Sequence, residues 1–419
     1  MRLIKLIPFV LIFFGCLSAE AQSNTSSPYS RFGLGELVGS PFIQGQGLGG
    51  LNYGLRFNNV ISTENPASLT ALDLTVFETG VNTTFSKINT SDFSAQTVNG
   101  SLSHFALAFP INKKIGAAFG LLPFSQVGYK TKEINNIDGF GDATTVNTGD
   151  GGLNQFFVAA SYKVLPGLSA GITGSYYFGS VTNAVSTEFN NDNVLNVRTN
   201  DKYQVGDLRF NAGLQYTVDL SDKRSLNFGY GFGPETNLNS TRTKFSERYY
   251  YDLQNNLVVI DTLEDFKSND DNLVFPITQG IGATYVTPDY LVGADISTQG
   301  WSNTQAFIGG GIENSMKVSV GVQNNPNLTA INSYGKLITY RFGLFYNQSH
   351  IDINGTNIDE KGLTFGMGLP LIKSRSMINL AVQYLDRGTI ENNLVREQIV
   401  NVKVGFTLLD KWFIKRKYE

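Results

Sequence analysis

The sequence predicts an all-β protein: a transmembrane antiparallel β-barrel of about fourteen strands with an N-terminal plug (hatch) inside the lumen. Three observations lead there. From residue 72 onward, stretches of ten or so residues alternate apolar and polar side chains. Residues 208–218 show it best, with Leu208, Phe210, Ala212, Leu214, Tyr216 and Val218 on one face and Arg209, Asn211, Gly213, Gln215 and Thr217 on the other. The alternating region lies behind an export signal, and no other long apolar run follows. The connections between the stretches are alternately short and long, as in bacterial barrels with tight periplasmic turns and longer extracellular loops.

Composition fits a barrel. Of 419 residues, 41% are hydrophobic and 16% charged, and the mean hydropathy of -0.10 resembles that of a soluble chain. A barrel gives that value because only every second strand residue faces lipid. Forty-four glycines, 30 Phe and 19 Tyr suit close-packed strands and aromatic girdles. A net charge of -3, with no basic cluster beside an aromatic platform, argues against a nucleic-acid partner.

In chain order, residues 1–21 form a signal peptide. Arg2 and Lys5 are its basic start, Ile7 to Leu17 its apolar core, and Ala19-Glu20-Ala21 its cleavage site. Cys16 offers a lipoprotein alternative, against which stands Phe13 where such boxes carry an aliphatic residue. On the signal reading the mature chain has no thiol, so neither a disulfide nor a Cys-ligated metal is expected. Residues 22–71 lack alternation and enter no sheet on this reading. They are too apolar for a disordered tail, with Phe32, Leu34, Phe42, Ile43, Leu48, Leu51, Val60 and Ile61, so they are assigned to the barrel interior as a plug. Residues 72–409 form the barrel, with strands expected near 72–86, 97–109, 115–128, 153–163, 168–181, 205–218, 224–238, 273–286, 290–300, 314–323, 337–349, 360–370, 376–387 and 396–409. Long loops are expected at 129–152, 182–204 and 239–272. An even strand count places both termini in the periplasm, where residues 410–419 form a basic tail, read as an interfacial anchor or a docking element.

Chemistry is sparse. The two histidines are His104, on the inward phase of its strand, and His350, at a strand end. Ser101 and Ser103 are assigned to the opposite face from His104, so no nucleophile and base meet, and no enzyme activity, cofactor or metal is expected. Gly45-Gln46-Gly47-Leu48-Gly49-Gly50 matches a dinucleotide fingerprint without the strand and helix that would give it meaning. Asp138 to Asp142 lacks the spacing of a calcium loop. Pro123, in Phe119-Gly120-Leu121-Leu122-Pro123-Phe124-Ser125, falls mid-strand, where a residue without an N–H disturbs the ladder. Either the strand ends before it, or a bulge there opens a gap in the wall, with Gly120 and Pro123 at a lateral opening. The 239–272 loop carries Lys244, Arg248, Tyr249, Tyr250 and Tyr251 and is expected to fold as a hairpin turning at Gln254-Asn255-Asn256. Aromatics beside cations could capture a ligand with an oily tail and a carboxylate head, or pack against neighbouring loops or another protein.

The Asn65-Pro66-Ala67 motif just before the first strand resembles that of the FadL/TodX-type outer-membrane transport family. That family is similar in plan, with a signal peptide, an N-terminal hatch, fourteen strands and a kinked third strand. The opening Ser27-Pro28-Tyr29-Ser30-Arg31-Phe32-Gly33 and the closing Asp410 to Lys417 look like a Bacteroidota branch of it. The resemblance implies a hatch motif at Asn65, Pro66 and Ala67, and a lateral opening at Pro123. It also implies capture of a hydrophobic molecule, with long-chain fatty acid as the expected cargo, followed by exit sideways through the barrel wall along an apolar tunnel. The expected partners are membrane lipids and the hydrophobic ligand. The alternative is a scaffold or cargo-binding subunit of an outer-membrane complex, as in PorV-type proteins of type IX secretion, which would bring other outer-membrane proteins as partners and need no tunnel.

Overall fold

The computed structural model describes residues 25–39, 42–191, 193–303, 311–326, 333–372 and 374–412. The signal segment with Cys16, and the tail beyond Trp412, lie outside the described residues. The wall is built from β1 (Thr75–Asn89), β2 (Ser94–Pro110), β3 (Ile115–Ile137), β4 (Gly141–Leu165), β5 (Leu168–Phe189), β6 (Asn196–Ser221) and β7 (Arg224–Gly233). It continues through β8 (Ile277–Val286), β9 (Tyr290–Gly300), β10 (Ser315–Asn324), β11 (Thr339–Gln348), β12 (Glu360–Pro370), β13 (Met377–Gly388) and β14 (Arg396–Asp410). Neighbours in sequence pair antiparallel, and β14 pairs with β1 from Thr75–Asp410 to Asn89–Arg396, closing a fourteen-strand barrel.

Alternation is read inside out. Leu208, Phe210, Leu214 and Tyr216 are about half exposed on the outer face, whereas Arg209 and Gln215 are buried within. In a soluble sheet the apolar face would be the covered one. A membrane barrel inverts this because lipid is the outer solvent.

Two of the expected long loops are strand. Residues 129–152 continue β3 and β4 to a tight turn at 138–140, and most of 182–204 extends β5 and β6. Beyond the lipid both faces are wet, so Thr, Asn and Asp occupy both and the apolar contrast fades while the ladder runs on. The third loop is the expected hairpin: Thr236–Tyr251 and Leu257–Phe275 pair around a turn where Asn255 takes a positive φ of 64°. Its first strand pairs with the upper half of β6, so β6 has β7 beside it lower down and the hairpin above.

Residues 42–72 pack against inward-facing side chains. Phe42, Ile61, Leu69 and Leu72 form a cluster with Val76, Ala106, Ala118, Leu122 and Phe157 of β1 to β4. Leu48, Leu51, Leu55 and Val60 form another with Leu291 of β9. One expectation fails here: this region does enter the sheet. Glu36 and Leu37 form a short strand paired with Gln126 and Ser125 of β3. The pairing is available because β2 has left that edge of β3.

Candidate functional site

The ladder between β2 and β3 runs from Pro110–Gly116 to Phe105–Leu121 and ends there. β3 itself continues through Pro123, which is opposite Asn154 of β4, with a register shift before Ser125. The reading in which the strand stops before Pro123 is therefore overturned. The bulge residue Phe124 packs edge-on against Tyr177 (ring centroids 4.9 Å apart) and tilts against Phe275 (5.1 Å). Gly120 sits in the intact part of the ladder, where an added Cβ would lie 2.7 Å from the Phe157 ring.

The break lies at the height of lipid. On β1, Val81 and Phe85 are 54% and 45% exposed, and the β2 residues opposite them, Leu102 and Val98, are 52% and 58% exposed. A cavity of about 350 Å³ is lined on one side by Leu102, Ser103, Leu122, Pro123 and Phe124, which flank the break, and on the other by Arg209, Lys317 and Lys403 in the lumen. Leu102 is half exposed on the outer face and is also among the residues that line the cavity.

The lining departs from the expected apolar tunnel. One wall is aromatic and aliphatic: Leu37, Phe124, Tyr177, Phe275 and Trp301. The rest is polar. Lys317 stands over the Phe345 ring, its Nζ 5.3 Å from the centroid. Glu64 lines the cavity in the field of Arg209 and Lys317. Asp295 accepts from the backbone N–H groups of Asn52 (2.6 Å) and Tyr53 (2.9 Å). The chamber is amphipathic.

Asn65, Pro66 and Ala67 are buried and start a 3-10 turn, Pro66–Ala71, capped by Asn65. The Asn65 Nδ2 donates to the carbonyls of Tyr53 (2.8 Å) and Leu214 (3.1 Å), and its Oδ1 accepts from Ala67 N (3.3 Å). One amide thus ties two parts of the N-terminal segment to β6. Inward glycines make the room: a Cβ at Gly171 would lie 2.7 Å from Ala67 N, and one at Gly213 2.8 Å from Pro66 Cδ.

The hairpin residues are placed separately. Lys244 pairs with Glu264 at 2.7 Å, and Arg248 pairs bidentately with Asp261. Tyr249 is buried and donates to Glu188 at 2.9 Å, as Tyr251 does at 3.1 Å, while Tyr250 is exposed. Both cations are thus already matched by carboxylates on the adjacent strand. The hairpin's exposed aliphatic and Phe residues are Leu253, Leu257, Val259, Ile260, Leu263 and Phe266.

His104 is fully buried on the inner face, as its phase predicts, but Ser103 is not opposite it. A bulge between Gly80 and Val81 turns both inward, with Ser103 Oγ 3.1 Å from His104 Nδ1 and Glu78 Oε1 3.5 Å from Nε2. The histidine packs against the Phe42 ring (centroids 5.1 Å apart), which fastens the N-terminal segment to β2.

Sequence reading missed a buried charged cluster. Arg387 meets Glu36, Glu360 and Glu397 within the lumen. The alternation of β12 to β14 could have flagged Arg387, Glu397 and Lys403 as inward charges. Glu36 carried no such signal, because its segment has no period.

The sequence matches the family model described as BamG over residues 3–419. No curated protein matches it. Among solved structures, a Pseudomonas aeruginosa FadL homologue superposes with a TM-score of 0.60 at 12% identity, covering 90% of this chain and 99% of that one. The Pseudomonas putida toluene transporter TodX gives 0.58 at 16%, with coverage of 90% and 99%. The Ralstonia pickettii toluene transporter TbuX gives 0.57 at 13%, with the same coverage. At these identities the likeness is one of fold.

Proposed function

The chain belongs to the BamG family, and on that premise we propose that it is an outer-membrane channel for hydrophobic small molecules that leave sideways through the wall. The observation that carries this reading is the broken β2–β3 ladder at lipid height, with the cavity lined from both sides of the break. In a closed membrane sheet each unpaired backbone group costs several kcal/mol, so a break there is selected against unless it does something. Residues 22–71 act as the hatch, with Asn65, Pro66 and Ala67 as its fixed point against β6. The exposed apolar edge of the 236–275 hairpin makes first contact. The mixed lining favours a cargo with an apolar body and a polar head, for which a long-chain fatty acid is the simplest example. The barrel begins at Thr75 and ends at Asp410 on the short-turn side, which is periplasmic on this reading, whereas Tyr29 reaches Val395 at the opposite end. Placement in a Bacteroidota branch is supported by the Ser27–Gly33 and Asp410–Lys417 motifs.

A second reading, a scaffold or cargo-binding subunit of an outer-membrane complex, is favoured by the same hairpin, where Leu253, Ile260 and Leu263 face solvent. Native mass spectrometry of the protein extracted gently from its own membrane separates the two. Transport predicts a lone barrel carrying a single lipid-like mass. A stoichiometric protein partner on an empty barrel would instead establish the scaffold.

A further inference from the structure

The short strand Glu36–Leu37 occupies the edge of β3 that β2 vacates. Val38 N donates to Phe124 O at 2.9 Å, and Ser30 Oγ accepts from Gly128 N at 3.1 Å, so this segment lines the upper side of the break. Alternation along the strand sends its two side chains apart. Leu37 packs beside Phe124 in the aromatic wall. Glu36 points into the lumen and meets Arg387 of β13 at 2.8 Å.

Arg387 also receives Glu360 of β12 at 2.7 Å and Glu397 of β14 at 3.2 Å. Thr25 Oγ1 donates to Glu36 at 2.7 Å, and Ser27 Oγ to Glu397 at 3.0 Å. Three carboxylates therefore share one guanidinium, and only Glu36 comes from the N-terminal segment. That asymmetry matters. Breaking a buried pair is very costly when it strands a charge, but Arg387 keeps two barrel carboxylates if Glu36 leaves, and Glu36 lines the cavity, where polar groups can receive it. The pair can therefore part without stranding Arg387.

We propose that Arg387 is the positioning residue of the lateral path: through Glu36 it holds the 36–37 strand on β3, and release of that pair unseals the break. This rests on the reading of the β2–β3 break as the exit.

The test uses the full chain in membranes. Leu37 and Ser125 are rung partners, close enough for a disulfide when both are cysteine, and Cys16 in the signal segment is the sequence's only other cysteine. Leu37→Cys with Ser125→Cys should cross-link readily under mild oxidation. Adding Glu36→Gln or Arg387→Gln should lower the yield by about fivefold in barrels whose heat-modifiable migration shows them folded, and Glu36→Asp should restore part of it. Glu360→Gln removes a competitor for Arg387 and should leave the yield undiminished. Unchanged cross-linking with Glu36→Gln overturns the proposal. So does an equal loss with Glu360→Gln, which would mean the cluster is merely structural. The cross-link needs no cargo: release without passage would fail the transport reading alone, and passage with an unaffected seal would fail this one alone.

Discussion

Phe105 of β2 and Leu121 of β3 form the last rung before these strands part, and the strand that next pairs with β3 is drawn from the N-terminal segment. Wall and N-terminal segment are thus one hydrogen-bonded sheet at this point. Any movement of residues 25–38 changes the wall itself.

Pro123 is where that wall is locally re-registered, opposite Asn154. Pro123→Val restores a backbone donor and removes the restriction on φ. The variant should fold and show strongly reduced uptake of a fluorescent apolar ligand. Undiminished uptake into cells carrying a normal amount of folded barrel would rule out the break as the route.

Asn65 holds two buried carbonyls with one amide. Asn65→Asp keeps the cap to Ala67 but removes both donations, leaving acceptors facing acceptors. The expected loss is about 1–3 kcal/mol, read as a lower denaturant midpoint. An unchanged midpoint would show that this tie is dispensable.

Gly171 lies where the N-terminal segment touches β5. Gly171→Val drives a side chain into Pro66 and Ala67, at an overpacking cost of about 1–3 kcal/mol. Limited proteolysis should cut within residues 22–71 while the barrel stays resistant. Equal resistance in both variant and parent would mean the segment accommodates the bulk.

The seal should depend on pH with a defined sign. Burial raises the Glu36 carboxyl, but Arg387 and the Thr25 hydrogen bond outweigh it and hold it below its ordinary value of 4.5. A depressed carboxyl stabilises the folded arrangement fully above that ordinary value, and the contribution is lost as pH falls through the depressed one. The groups around it are Arg387, Glu360 and Glu397. The cross-linking advantage of the 37–125 cysteine pair over the same pair with Glu36→Gln, a ratio that cancels the thiols' own pH dependence, should therefore hold steady from neutral to mildly acidic pH and shrink only below 4.5. A drop near neutrality would point to a different group.

Lys244 and Arg248 are paired with Glu264 and Asp261 on the hairpin's second strand. Removing both charges with Lys244→Gln and Arg248→Gln should change uptake little, since exposed pairs contribute weakly. A marked rise in the ligand concentration needed for half-maximal uptake would return them to a capture role.

Much of the fold was legible because a barrel strand repeats one physical rule. Leu208 to Val218 alternate for lipid outside and a packed interior inside, and the strands at 290–300 and 360–370 were delimited to the residue. Legibility failed where the rule lapses. Residues 129–152 are strand without apolar contrast, because both faces meet water. The Ser103 bulge adds one residue and reverses the facing of the serine next to His104. Pro123 signalled a disturbance in its strand, but not which neighbour would let go.

The sequence by itself determined the strand number, the outward face of regular stretches such as Leu208 to Val218, and that the segment before residue 72 needs cover, since all of these follow from local periodicity and composition. Only the tertiary structure decided that Glu36 would meet Arg387, 351 residues away, and that residues 36–37 would take the edge β2 leaves. Those are properties of closure: a barrel brings its last strands beside its first and places the N-terminal segment among them, and no local pattern encodes which charges then face each other within the lumen.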